Sequence, residues 1–375
     1  MQRLRDIALN AGLVGSSLLV FAVVLEFVVF RFVLLPSDLP RNAFVDGVIK
    51  YQPNQTGIDR VANDYAHPYR INAEGWNSGH AAYPVARTPG IERIAVIGDS
   101  FVEAFQVPYD RSFAERLEAR YAEAGQAAEV FRFGISGAPL SQYLHMLERE
   151  VLAYRPDRVI VLLVHNDFDE SFRFVAGRYT SSYRKLVVED GQVTGFVEPT
   201  AYRGTYEPLV QSATYRYLKM RQGLSVAALR ALVLGGGKEY AANIPVEEVL
   251  ALRPEIEAAV NHVMARFAAL ADEHGFEILF LMDADREAIY GLREEDRQNG
   301  VLALNDLAST AASRHGLPFV DLHPLFKTDF ERHGTRFDYP RDSHWNQHAH
   351  DLVARLVGDR LLREPQTARA GTASR

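Results

Sequence analysis

Between residues 93 and 321 the chain carries five short apolar runs, each separated from the next by a stretch of helical periodicity, and few architectures accept that pattern. The run 93–98 (RIAVIG) ends at a glycine, 129–133 is a second short strand, and 158–164 (RVIVLLV) is almost continuously apolar. A strand of the last kind must be covered on both faces. Segments 276–282 and 317–321 read as the fourth and fifth strands. Helices are predicted over 112–125, 140–154, 246–274, 300–315 and from Trp345 to about residue 362. Five strands alternating with helices give an open parallel sheet with helices on both faces, and its ligand site lies beyond the carboxyl ends of the strands.

The start of the chain obeys different rules. Residues 11–30 read AGLVGSSLLVFAVVLEFVVF, with Glu26 the only charge. Twenty such residues in a helix span roughly 30 Å, the thickness of a bilayer core. A cleaved signal peptide would have a shorter apolar region and small residues at a cleavage site, whereas this run ends in Arg31 and Phe32. An uncleaved transmembrane anchor is therefore expected over 1–35, followed by a polar linker and lead-in over 36–92, a catalytic domain over 93–363 and a disordered tail over 364–375. Arg3 and Arg5 precede the anchor and Arg31 and Arg41 follow it, so charge does not decide orientation. The short leading tail favours a cytoplasmic N-terminus with the domain outside, periplasmic or at the cell surface. Regularity is lost over 169–245, which reads as an insertion holding a β-hairpin at 185–196 and a flexible connection at Gly235–Gly237. Rich in Tyr, Arg and Phe, the insertion suits either a substrate lid or a structural cap. No complete phosphate-binding loop surrounds those glycines.

Polar residues gather where the strands end. Gly98-Asp99-Ser100-Phe101 follows the first strand, Phe133-Gly134-Ile135-Ser136-Gly137 the second and His165-Asn166-Asp167 the third. Near the C-terminus stands Asp342-Ser343-His344-Trp345-Asn346. These supply the parts that acyl transfer at a serine requires. Ser100 can lose its proton to His344, and Asp342 can hold that histidine in one tautomer and stabilise its cation. The N–H of Ser100, the N–H of Gly137 (with Gly134 as the competing glycine) and the amide of Asn166 can donate to a tetrahedral oxyanion. Each alone has an ordinary reading as a turn or cap residue, and Asp342 could cap the last helix.

In this order the blocks GDSF, FGISG, HND and DSHWN resemble those of the SGNH hydrolases, the GDSL-type esterases and lipases. The resemblance covers about residues 93–362, with Asn72-Ala73-Glu74-Gly75-Trp76 like the lead-in of bacterial membrane-anchored members. It implies a three-layer α/β/α sandwich with a five-stranded parallel, flavodoxin-like sheet. It also implies Ser100 as nucleophile, His344 and Asp342 as base and acid, and Ser100, Gly137 and Asn166 as oxyanion hole. Phe101 replaces the leucine of the GDSL name. The D-x-H spacing with a following Trp, in place of D-x-x-H, looks like the polysaccharide O-acetyltransferase branch, in which the Asp–His pair instead precedes the serine.

The expected activity is a membrane-tethered serine esterase acting on an acylated glycan or small ester. The alternatives are an O-acyltransferase of an extracytoplasmic polysaccharide, which would need an acyl-donor partner, a lipid-directed lipase or thioesterase, and a non-catalytic glycan-binding or scaffold protein. With no cysteine, thiolate metal sites and cysteine nucleophiles are excluded. No cofactor or metal is expected, since the cluster His344, His348 and His350 lacks a glutamate base and His344 already has a role. His348 and His350 are read as surface or helix-packing residues, His323 and His333 as surface loop residues. A formal net charge of −7 argues against nucleic acid as a partner.

Overall fold

A computed structural model of the protein describes residues 2–174, 182–201, 210–224, 242 and 244–363. The tail at 364–375 and the connection at Gly235–Gly237 lie outside the described residues. The chain divides into two compact units, a larger one of Pro40–Thr56, His67–Tyr202 and Lys238–Arg375, and a smaller one of Met1–Leu39, Gly57–Ala66 and Arg203–Gly237.

In the larger unit, strands β5 (Glu92–Gly98), β6 (Ala128–Gly134), β7 (Arg158–Leu163), β10 (Glu277–Met282) and β11 (Phe319–Asp321) form one parallel sheet. Their order is β11-β10-β7-β5-β6. Strand side chains alternate faces, so each strand serves two cores. Ala95, Ile97, Phe131, Val161 and Phe280 pack against the helices Leu140–Arg149, Arg253–His274 and Leu302–Arg314. Ile94, Val96, Val130, Ile160 and Leu281 pack on the other side against Phe113–Glu123, His323–His333 and Gln347–Arg363. The result is a three-layer α/β/α sandwich. Burying such an aliphatic or aromatic side chain contributes roughly 1.5–3 kcal/mol, which is why both cores are almost wholly apolar.

All five expected strands are present, with ends moved by one or two residues. The expected hairpin is also there, as β8 (Lys185–Glu189) paired with β9 (Gln192–Val197). Four readings change. The helix expected over 140–154 ends at Arg149, and a separate 3₁₀ turn, Val151–Tyr154, follows it. The helix expected over 246–274 is two, Val246–Leu250 and Arg253–His274, because Pro254 lacks an N–H and starts a new helix rather than continuing one. His323 and His333, expected in surface loops, are the first and last residues of a helix not anticipated at all, and His323 is 1% exposed. The stretch 36–92 is more than a polar linker: it pairs β1 (Asn42–Val45) with β2 (Val48–Tyr51) and β3 (Thr56–Val61) with β4 (Tyr65–Arg70). Its Trp76 is fully buried, edge-on to Phe133 with ring centroids 5.4 Å apart. Gly75 before it, at φ +95°, lies so close to the Tyr51 carbonyl that no side chain fits.

The smaller unit holds one helix long and apolar enough to cross a membrane, Gln2–Val33, wound as an α-helix to Val24 and as a π-helix over Leu25–Val33. Its apolar side chains are exposed over most of its length, with Leu25 and Val29 half-buried and Phe30 buried. Glu26 is not idle. Its carboxylate accepts hydrogen bonds from Ser212 Oγ (2.8 Å), Ala213 N (2.8 Å) and Thr214 N (3.0 Å). Phe30 packs on Tyr217 at 4.6 Å between ring centroids.

Candidate active site

The sheet order, read from β6, is second, first, third, fourth, fifth strand, and its topological switch lies between β5 and β7. β5 is therefore flanked by β6 on one side and β7 on the other, so the three polar turns meet at one edge. Immediately after β5, Asp99 caps the short helix Ser100–Glu103, its Oδ1 accepting from Phe101 N at 2.9 Å. That cap turns the chain sharply and leaves Ser100 at the first helical position, 9% exposed.

Ser100 Oγ lies 2.7 Å from His344 Nε2, and His344 Nδ1 lies 2.5 Å from Asp342 Oδ1. The same Asp342 oxygen also accepts the backbone N–H of His344 at 2.9 Å. This tight turn explains how a D-x-H spacing works: one carboxylate oxygen grips both the backbone and the ring of its histidine. With Nδ1–H donating to Asp342, Nε2 is left to accept the Ser100 proton. Three of the sequence-predicted residues thus form one hydrogen-bonded chain.

The expected oxyanion donors sit in the neighbouring turns. Gly137 follows β6 in a turn at φ +71°, a conformation that favours glycine. Gly134 has a different task. A Cβ there would meet Glu103 N at 2.2 Å, so its bareness lets β6 lie against the helix carrying Ser100. Asn166 occupies the 3₁₀ turn His165–Asp167 after β7 and is half-buried, while both its neighbours are pinned. Asp167 accepts Val164 N at 2.8 Å and Tyr143 OH at 2.9 Å. His165 Nε2 meets Asn305 Oδ1 at 2.9 Å.

A second layer of residues, invisible in the motifs, supports this edge. Asp283, just past β10, accepts Trp345 Nε1 at 2.9 Å and takes two bonds from Arg286 Nη1, at 2.8 and 2.6 Å. Arg286 Nη2 in turn donates to the Ser343 carbonyl at 2.5 Å, tying down the loop between Asp342 and His344. The nearby D-x-x-R at 283–286, at the end of a strand, was the available signal.

Charge is concentrated here. Loss of water around the His344 ring opposes its cation, but Asp342, with Asp99 and Glu103 behind it, outweighs that loss and raises its pKa to about 9. Burial pushes Asp99 up to about 6 and Glu103 up to about 7. Asp167 is raised well above the carboxylate range, by burial and then by the nearby Asp99.

His350 points elsewhere, its Nδ1 accepting Phe113 N at 3.2 Å, and burial lowers it to about 3. His348 pairs with Asp329 at 2.6 Å. Among the described residues no cluster of three or more His, Cys, Asp or Glu is placed to hold a metal ion.

No curated protein sequence matches the chain. Solved structures similar to it include an acetyl xylan esterase, AlAXEase (13% identity, 72% of this chain and 99% of that one, TM-score 0.40). A catalytic mutant of Axe2, an acetylxylan esterase from Geobacillus stearothermophilus, is similar at 12% identity (72% and 94% covered, TM-score 0.41). So is a lipase/acylhydrolase from Enterococcus faecalis, at 13% identity (74% and 100% covered, TM-score 0.38). The sequence profile of the GDSL-like lipase/acylhydrolase family matches residues 96–352, from the middle of β5 into the last helix, so that all four motif blocks fall inside it. The chain belongs to the GDSL-like lipase/acylhydrolase family, enzymes that act on ester bonds.

Proposed function

We propose that the protein is a membrane-tethered serine esterase whose nucleophile is Ser100. The observation that carries this reading is the unbroken chain Asp342–His344–Ser100 at the switch-point edge of the sheet. In the forward step His344 Nε2 takes the Ser100 proton as Oγ attacks the ester carbonyl, and Asp342 stabilises the imidazolium. The N–H groups of Ser100 and Gly137 and the Asn166 amide receive the oxyanion. Each such donor contributes on the order of 3–4 kcal/mol to lowering the barrier. Collapse of the tetrahedral species returns the proton to the departing alcohol and leaves an acyl-Ser100 ester, which water cleaves by the same steps.

The substrate class is an acylated glycan or a small ester. The helix Gln2–Val33 supplies the tether, with the catalytic unit on the extracytoplasmic side. The test is release of p-nitrophenol from its acetate by the full chain in detergent, beside Ser100→Ala and His344→Ala. Activity that disappears in both folded variants, with an acetylated Ser100 trapped in the active enzyme, is the expected result. Equal rates in all three proteins would remove the proposal.

A further inference from the structure

Glu103 lies three residues beyond Ser100 on the same short helix, is 1% exposed, and beyond its charge beside His344 takes no part in the proton transfers above. Its carboxylate is directed at Ser136, the residue before Gly137. Oε1 accepts the Ser136 N–H at 3.0 Å and also the hydroxyl of Tyr51, while Oε2 accepts Ser136 Oγ at 2.5 Å. The backbone of Glu103 is held as firmly, its carbonyl accepting from Asn77 Nδ2 at 2.8 Å and Arg132 Nη1 at 3.0 Å. From the far side Tyr183, in the insertion and 5% exposed, donates its hydroxyl to the Ser136 carbonyl at 2.7 Å.

These contacts fix more than Ser136. The Ser136 carbonyl and the Gly137 N–H belong to one planar trans peptide unit, so they point in opposite directions and turn together. A hydrogen bond that holds the carbonyl also holds the direction of the amide. Glu103 grips the other end of the same residue from the helix that carries Ser100. Amide and nucleophile are thereby referenced to a single rigid element, at a glycine whose own backbone is otherwise permissive.

We infer that Glu103 and Tyr183 are positioning residues that aim the Gly137 amide at the oxyanion, acting through Ser136. Neither touches the reacting atoms. The inference rests on the proposal that Ser100 is the nucleophile and Gly137 an oxyanion donor. It also gives the insertion a task at the site: one of its tyrosines sets the oxyanion loop.

The experiment uses the full chain in detergent with p-nitrophenyl acetate, every rate being divided by the number of active sites titrated to completion with a fluorophosphonate. Tyr183→Phe and Glu103→Ala are expected to lower kcat per titrated site by about 10- to 100-fold, the scale of a misplaced catalytic group, with KM changed less than about threefold. Glu103→Gln keeps the shape and an acceptor for the Ser136 N–H; measured on the plateau above pH 9, its kcat is expected to stay well above that of Glu103→Ala, while loss of the charge beside His344 moves its rising limb to lower pH. Affinity for phenylboronic acid, whose serine adduct mimics the tetrahedral species, should weaken in Tyr183→Phe and Glu103→Ala by the same factor as kcat/KM. A merely structural role would lower the melting temperature or the number of titratable sites and leave kcat per site and boronate affinity unchanged, and that result overturns the inference. So would a Glu103→Gln protein as slow as Glu103→Ala. Wild type active, Ser100→Ala inactive and Tyr183→Phe unchanged would sink this inference alone. Wild type inactive and unlabelled at Ser100 would remove the functional proposal, and this one with it.

Discussion

His344 faces three carboxylates, Asp342, Asp99 and Glu103, which together raise its pKa to about 9 against the cost of burial. A base must begin neutral. Below that pKa the ring already carries the proton it would need to take from Ser100. On the proposed mechanism kcat/KM should therefore climb with pH, about tenfold per unit well below the midpoint, and level off near pH 9. Asp99→Asn removes one of the facing charges and should move the rising limb to lower pH, which a pH–rate profile of the two proteins checks. Asp342→Asn loses the charge that stabilises the imidazolium and sets an amide N–H against Nδ1, which favours the wrong tautomer, and should cost about three to four orders of magnitude in kcat without unfolding the protein. These residues were legible because each is a chemically distinctive side chain beside a strand end or a short turn. Glu103, Asp283 and Arg286 were not. Their partners Ser136, Trp345 and Ser343 lie 33, 62 and 57 residues away, and only the folded sheet brings them together.

Among the elements, the buried strands were readable because a parallel strand covered on both faces has to be apolar at every position, as Arg158–Leu163 nearly is. The hairpins in 36–92 carried no such signature. β1, β3 and β4 mix polar and apolar residues and are largely half-exposed, and β2, though buried at all four positions, is too short to stand out. The helix His323–His333 shows little in the sequence, although Pro324 suits a first turn and Gly334, at φ +65°, ends it. Its eleven residues bury only His323, Phe326 and Asp329, too few to show as a periodic stripe. Tight element packing makes a prediction at Gly134. Alanine there would press a Cβ onto the Glu103 backbone, where no flexible side chain can give way. Gly134→Ala should destabilise the fold by about 1–3 kcal/mol and slow the enzyme as well, whereas Gly195→Ala, with open space around it, should leave stability within about 0.5 kcal/mol. Urea unfolding of both variants decides it.

At the scale of the molecule, the open question is how a helix that buries almost none of its apolar surface is accommodated. Water cannot solvate Gln2–Val33 cheaply, since its exposed side chains include Leu13, Leu18, Val20, Phe21 and Phe27. A bilayer removes that cost, and a signal peptidase would remove the helix. At the end of that helix the Glu26 carboxylate accepts hydrogen bonds from Ser212, Ala213 and Thr214, which ties it to a segment far along the chain. Burying or half-burying a carboxylate demands such partners, and they lie some 186 residues further along the chain. The expected outcome is a full-length chain that sediments with membranes, resists extraction by alkaline carbonate and retains its first residues by intact mass. Glu26→Ala should stay in the membrane, because the apolar length is unchanged, yet exchange the amide hydrogens of Ala213 and Thr214 faster than the parent does. A soluble, N-terminally shortened protein would identify the helix as a signal. Unchanged exchange at Ala213 and Thr214 would show that the Glu26 contacts do not hold that segment.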